Sequence, residues 1–406
     1  MIALPGQSYS QVQIRPVMGL SPDPGFPIWL TPDVDNYLPL VASQTSGLGW
    51  IASDVADSGC DRCWLIACDD AAEGGLHLIS LVLGESGPRL VFHRPELTLP
   101  PPEIAGFRIA PGEGYDWEAI AIHPWSNTVF LSQEGTRDEI AIYVGQVTPG
   151  GISAREGAYG RAGEAGWLPG HFVNLRPMEL PGWDEAFGDL LSDNLGIEGV
   201  ACSRDRLFLG LESPYEFSTR LTEEKSTVLA IWSIDPENPS DMEACELLAV
   251  HDTADWMCSL GRTVETICGL DAIDSTHIVG VDRDNCGIFA VELNLAGEFV
   301  GGRFFFLDIP GPAPLPSDGC PEIDHLPRLI KPSLESLAVV PSSPADDEAG
   351  PVAYHLYLAV DPWAAGWTLM ENDWYCPAYE RRLSMLLPAL YRYTVSSEDL
   401  LGAGGL

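Results

Sequence analysis

Five times along this chain, once in a degenerate form, an apolar run with an acid near its start is followed by a second apolar run that ends in an acid. The fullest copy is Asp116-Trp117-Glu118-Ala119-Ile120-Ala121-Ile122 with Val129-Phe130-Leu131-Ser132-Gln133-Glu134. Asn194-Leu195-Gly196-Ile197-Glu198-Gly199-Val200-Ala201 leads to Leu207-Phe208-Leu209-Gly210-Leu211-Glu212, and Cys268-Gly269-Leu270-Asp271-Ala272-Ile273 leads to His277-Ile278-Val279-Gly280-Val281-Asp282. Ser333-Leu334-Glu335-Ser336-Leu337-Ala338-Val339 leads, past an insert, to Leu356-Tyr357-Leu358-Ala359-Val360-Asp361. A degenerate first copy runs from Gly47-Leu48-Gly49-Trp50-Ile51-Ala52 to Trp64-Leu65-Ile66-Ala67-Cys68-Asp69, with Gly49 read in the place of the acid.

Two apolar runs joined by a short turn make a β-hairpin. Its strands are antiparallel, so the start of the first lies beside the end of the second. That predicts Glu118 near Glu134, Glu198 near Glu212, Asp271 near Asp282 and Glu335 near Asp361. One small twisted sheet cannot bury both faces alone, whereas neighbouring sheets in a ring can. The expected fold is therefore an all-β single β-propeller spanning residues 1–406, in which five hairpin copies favour five blades over six. A ring needs a latch, and the alternating strands at residues 8–19 and 391–395 are expected to meet in one terminal blade. Residues 76–83 and 89–93 read as outer strands of the first blade, 139–147 of the second, 228–234 and 247–251 of the third, and 288–293 and 303–308 of the fourth.

The longest connection, residues 148–193, reads as an inter-blade insertion with a short helix that places Trp183, Phe187 and Leu190 on one stripe. Such a loop is either a lid or a surface insertion with no task. With 59 acids against 21 bases, the formal charge of −38 repels nucleic-acid backbones and anionic membranes. No apolar run is long enough to cross a bilayer. Neither a nucleic-acid partner nor membrane insertion is expected, and the expected state is a monomer. Residues 1–20 lack the basic start and apolar core of a signal peptide, which leaves a cytoplasmic protein or a mature secreted form open. Cys60, Cys63 and Cys68 lack the second pair that a structural zinc site needs, so they read as a disulfide turn or free thiols.

If the innermost strand of every blade starts at one mouth of the axis, Glu118, Glu198, Asp271 and Glu335 converge there. Carboxylates gathered in a desolvated funnel raise one another's pKa unless something compensates. A divalent cation does so; the all-oxygen donor set suits Ca²⁺, with Mg²⁺ as second choice, and the scarcity of histidine argues against Zn²⁺. The structural alternative has each acid accepting backbone N–H groups of the next blade and closing the ring without a metal. Glu134 and Glu212 are candidates for a catalytic base, and Arg137 and Arg283 stand near the same rim, where they either hold a phosphate or pair with the acids. His123 falls at the opposite edge of its hairpin and reads as a surface residue.

At these motifs the sequence resembles the esterase-like phytase domain family of β-propellers, whose signature is a recurring acid–Glu–Gly/Ala–aliphatic–Ala start followed by a strand ending in Glu. Residues 116–121 with 132–134 are similar to its first hallmark, and residues 194–201 with 210–212 to its second. The resemblance implies calcium held by the central acids and activity on phosphate esters. A more distant similarity links the acidic axis to calcium-activated nucleotidases. Gly49 and Asp271 depart from the pattern. Two functions stand open: a metal-dependent hydrolase of a small-molecule phosphate ester or anhydride, and a non-catalytic, calcium-stabilised propeller that binds a protein or carbohydrate. Aromatic residues in 363–374 favour the second, and the paired rim acids favour the first.

Overall fold

The computed structural model describes residues 19–29, 45–51, 61–69, 76–84, 87–92, 103–104, 107–108, 116–149, 169–192, 195–212, 226–309, 333–342, 353–361 and 389–402. Two short strands come first, β1 (Gly19–Leu20) and β2 (Ile28–Trp29). Blade 1 follows as β3 (Thr45–Ile51), β4 (Asp61–Asp69), β5 (Leu76–Gly84) and β6 (Gly87–Phe92). The short strands β7 (Glu103–Ile104) and β8 (Phe107–Arg108) attach to the rim of blade 2, which consists of β9 (Asp116–Ile122), β10 (Thr128–Glu134), β11 (Ala141–Pro149) and β12 (Pro169–Pro177). Blade 3 is β13 (Ile197–Cys202), β14 (Arg206–Leu211), β15 (Val228–Ser233) and β16 (Glu246–Asp252). Blade 4 is β17 (Gly269–Ala272), β18 (His277–Asp282), β19 (Gly287–Leu293) and β20 (Phe299–Leu307), with β1 running parallel to β20 at its edge. Blade 5 is β21 (Ser333–Pro341), β22 (Ala353–Asp361) and β23 (Ala389–Ser396), completed by β2 antiparallel to β23.

These five sheets make a five-bladed β-propeller. The inner strands β3, β9, β13, β17 and β21 pack side by side, and β21 returns to β3. Each of the five seams has its own apolar core. Ile66 and Cys68 meet Trp117 and Leu131 between blades 1 and 2, while Phe130 and Ile142 meet Leu207 and Leu209 between blades 2 and 3. Phe208 and Ile231 meet Ile267 and Phe289 between blades 3 and 4; Val279 and Ile288 meet Leu356 and Tyr393 between blades 4 and 5. Leu65 and Ile79 meet Ala338 and Tyr357 at the last seam. Both faces of an inner strand are thus buried, so these strands read as nearly continuous apolar runs; each fully buried Leu or Phe contributes about 1.5 to 3 kcal/mol.

Both chain ends do meet in blade 5, but the N-terminal part is Ile28–Trp29 and not the strand expected at residues 8–19, of which residues 8–18 lie outside the described residues and Gly19 pairs with β20 of blade 4. Asp23, just before β2, accepts hydrogen bonds from Arg392 Nε and from Thr394 Oγ1 at 2.7 Å, and Arg392 stacks on Phe26 with 4.8 Å to the ring centroid. Within the long connection, Pro169–Pro177 forms the fourth strand of blade 2, with β7 on its outer side. The helical turn Trp183–Ala186 that follows lays Phe187 against Trp232 of blade 3, ring centroids 6.0 Å apart. Among the described residues, no helix is long and apolar enough to cross a membrane.

Candidate functional site

The acids reach the axis through a repeated irregularity. In blade 2, Ser132 pairs with Ala119 and Gln133 with Trp117, so Glu118 is an extra residue in the ladder. The same β-bulge leaves Glu198 between the pairs Ile197–Leu211 and Gly199–Gly210, and Glu335 between Leu334–Val360 and Ser336–Ala359. Blade 1 repeats it at Ser46, between Thr45–Asp69 and Gly47–Cys68. A bulge breaks the two-residue alternation and re-aims one side chain. Here it lets an inner strand, buried on both faces, present one polar side chain at the mouth. The next residue is always small because the neighbouring inner strand passes over it: a Cβ at Gly47 would lie 2.8 Å from Ala119 Cα, and one at Gly269 3.0 Å from Leu337 N. The five equivalent positions are therefore Ser46-Gly47, Glu118-Ala119, Glu198-Gly199, Cys268-Gly269 and Glu335-Ser336.

Two expectations shift by three residues. Ser46, not Gly49, holds the first position. Cys268, not Asp271, holds the fourth: its Sγ lies with carboxylate oxygens of Glu198 and Glu335 in a group whose members are all within 4.8 Å of one another. Asp271 sits deeper along β17, where it accepts hydrogen bonds from Val339 N at 2.6 Å and Ala272 N at 2.8 Å. Burial pushes its carboxyl up to about 7, against these bonds and one from Trp50. Asp271 thus ties blade 4 to blades 5 and 1 and plays the ring-closing part described for an acid that holds no metal.

The second acids divide. Glu134 and Glu212 lie at the mouth: Glu134, Glu198 and Glu212 each bring an oxygen within 4.8 Å of the others, as do Asp116, Glu118 and Glu134. Asp282 is buried and spent on structure, accepting from Glu265 N, Thr266 Oγ1, Asn285 N and Asn285 Nδ2. That network braces the turn carrying Arg283, whose Nη1 donates to Glu335 Oε1 at 2.8 Å and Oε2 at 3.0 Å while Nη2 donates to Glu212 Oε1. Arg137 does not come to the site; it is exposed, and its Nη2 donates to the Gly188 carbonyl at 3.0 Å. His123 lies at the opposite end, as its place in the hairpin implies, but it is buried, not on the surface. Its Nε2 is 2.8 Å from the Arg204 carbonyl of blade 3 and its Nδ1 2.9 Å from Ser126 Oγ.

The mouth thus gathers carboxyl groups of Asp116, Glu118, Glu134, Glu198, Glu212 and Glu335 around one guanidinium. Burial, then Glu212, lifts the Glu198 carboxyl well above the usual range; Arg283 offsets part of this, and Glu335 and Glu134 add to it. Burial also raises Asp116, which shares a hydrogen bond with Glu118, an arrangement open to two carboxyl groups only while one carries a proton. Glu198 is 7% exposed, and its buried Oε2 has no hydrogen-bond partner. Asp116 and Cys268 were not foreseen as site residues. The sequence signal that would have found Cys268 is the small residue that follows each bulged position.

Fold and site together define a five-bladed β-propeller with a carboxylate-lined axial mouth. No protein-family model matches the chain, and no curated protein does. Among solved structures it is similar to a candidate 6-phosphogluconolactonase from Bacteroides uniformis, at 12% identity and a TM-score of 0.28, with 62% of this chain and 52% of that one covered. The chain thus spans about half the length of that relative. It is also similar to a luciferin-regenerating enzyme (10% identity, TM-score 0.37, 91% and 96% covered). A third likeness is to the GH43_1 enzyme from Xanthomonas citri complexed with xylose (9% identity, TM-score 0.41, 89% and 93% covered).

Proposed function

We propose that this propeller is a metal-dependent hydrolase of phosphate esters or anhydrides that works at its axial mouth. The observation that carries the reading is Glu198 Oε2, buried and without a hydrogen-bond partner, beside oxygens of Glu134 and Glu212. An orphaned buried carboxylate oxygen among like charges is costly, and a divalent cation removes that cost. Asp116, Glu118, Glu134, Glu198 and Glu212 offer oxygen donors only, the set that suits Ca²⁺ and, less well, Mg²⁺. When bound, such an ion polarises a phosphoryl oxygen and gives the anionic substrate an attachment in an otherwise negative funnel. Glu134 is the better candidate for the base that takes a proton from the attacking water, since Glu212 is committed to Arg283. The Arg283 clamp on Glu212 and Glu335 fixes the wall opposite.

A second reading, a binding propeller with a structural cation, draws on both arginines: Arg137 and Arg283 are engaged with protein acceptors, so neither is poised for a phosphate. The test adds calcium to chelator-stripped protein, follows thermal unfolding, and measures phosphate release from p-nitrophenyl phosphate and nucleoside di- and triphosphates. A ligand at a hundred times its Kd stabilises the fold by about 2.7 kcal/mol. The hydrolase reading expects calcium to raise the midpoint, phosphate release to need calcium, and Glu198→Gln to abolish both in a folded protein. A midpoint rise without release supports the binding reading. Neither effect overturns both.

A further inference from the structure

We infer that the guanidinium of Arg283 occupies a second cation position in the mouth, ringed by Glu198, Glu212, Glu335 and the Cys268 thiol, and that removing its charge opens this position to a thiophilic divalent ion. The inference shares Glu198 and Glu212 with the proposed function, but it rests on the Arg283 clamp and the Cys268 thiol, on which that reading does not depend.

Arg283 lies where a metal's ligands would converge. Its fork donates to three carboxylate oxygens contributed by blades 3 and 5, although it belongs to neither blade. The Cys268 thiol completes the ring from blade 4, within 4.8 Å of ligand oxygens on Glu198 and Glu335. That separation suits one ion bound at 2.3 to 2.6 Å by each donor, roughly the Ca²⁺ range, and Zn²⁺ and Cd²⁺ bind thiolate at comparable lengths. Glu198, whose buried Oε2 has no hydrogen-bond partner, borders this position as well as the one in the proposed function, so it stands between the two.

The arginine is held in place with unusual firmness. Asn285 Nδ2 donates to Asp282 at 2.7 Å and to the Thr263 carbonyl at 3.0 Å, so the turn that projects Arg283 is pinned to the segment leading into β17. Arg283 retains only 18% side-chain exposure. A guanidinium so placed neutralises Glu212 and Glu335 without needing an ion from solution. It also confines any hard divalent ion to the side of the mouth where Glu198 faces Asp116, Glu118 and Glu134. A neutral side chain at 283 leaves Glu198, Glu212 and Glu335 uncompensated around a sulfur donor, and sulfur selects Zn²⁺ or Cd²⁺ over Ca²⁺. On binding, a metal–sulfur bond forms and the thiol proton passes to buffer, so no redox partner is involved.

Cadmium is the probe, because its thiolate complexes absorb in the ultraviolet and the number bound is measured by equilibrium dialysis of the full-length protein. Other cysteines contribute the same background to every variant. Arg283→Gln is expected to bind one equivalent more Cd²⁺ than wild type and to gain a charge-transfer band, and Arg283→Gln/Cys268→Ser to lose both gains. Arg283→Lys, which keeps a positive charge, is expected to gain neither. Arg283→Met serves if the glutamine variant does not fold. Wild type and Cys268→Ser are expected to bind equal numbers of Cd²⁺ because the guanidinium fills the position. A lower count in Cys268→Ser overturns the inference, as does an Arg283→Gln count equal to wild type. Calcium binding by wild type is read separately, so its failure would count against the proposed function and leave this result intact.

Discussion

Asp271 makes the stability of the ring depend on pH in a way that can be worked through. Its carboxyl is raised from 3.8 to about 7, chiefly by burial at the seam between blades 4, 5 and 1. Between those values the folded protein holds a proton that the unfolded chain has released. Stability therefore falls as pH rises through the window, and the penalty is complete above the folded pKa. With one titrating group and these two values, the loss between pH 5 and pH 8 comes to about 2.6 kcal/mol by linkage. The side chain keeps some contact with solvent, which weakens the shift and widens the expectation to about 1 to 3 kcal/mol. Asp271→Asn cannot titrate, while its amide still accepts one of the two backbone N–H bonds. The assay is urea unfolding of wild type and Asp271→Asn at pH 5, 6, 7 and 8. The mouth acids titrate in both proteins and cancel in the difference, provided that the sites are independent. The variant is expected to be less stable than wild type at pH 5, where an N–H bond is compromised, and to gain on it by about 1 to 3 kcal/mol by pH 8. Parallel pH profiles would refute the placement of Asp271 in a desolvated seam.

Two further substitutions probe closure and close packing. Asp23→Ala removes the acceptor of Arg392 and Thr394 at a site where both ion-pair partners are nearly buried, and is expected to cost about 3 kcal/mol in urea unfolding; a loss below about 1 kcal/mol would show that the latch rests on β2–β23 pairing alone. Gly47→Ala would put a Cβ 2.4 Å from Cys68 Sγ and 2.8 Å from Ala119 Cα, and Gly49→Ala would meet nothing closer than 3.6 Å. The first is expected to cost about 1 to 3 kcal/mol or more and the second to be nearly neutral, and equal melting temperatures for the two would contradict the register assigned to blade 1.

The hairpins and their order were legible because strand period and turn placement are local properties. Glu118, Glu198 and Glu335 were legible because the same acid recurs at the same offset. Asp271 and Gly49 were misplaced by three residues for one reason: charge was weighted above the small residue that must follow each bulge. Ser46-Gly47 and Cys268-Gly269 carry that small residue but no carboxylate. Apart from that small residue the bulge leaves no mark in the sequence; it shows in the pairing of one strand with the next. Arg283 reaches acids 52 and 71 residues away, and its commitment to them depends on how three blades meet. His123 was read as surface because a strand end usually meets water, whereas here the Arg204 carbonyl of the neighbouring blade takes it out of solvent.

The latch in blade 5 has a consequence for how the chain is made. Asp23 and Arg392 are 369 residues apart, and among the described residues β2 pairs with β23 alone. At synthesis rates of about 5 to 20 residues per second, the early segment waits roughly 20 to 70 s on the ribosome before its partner emerges. Blades 1 to 4 have all their strands before then, including β1 at the edge of blade 4 beside β20. During that interval the nascent chain is an open arc. Its unclosed seams expose Leu65 and Ile79 at one end and Val279 and Ile288 at the other, surfaces that a second nascent chain could cover as well as its own last blade.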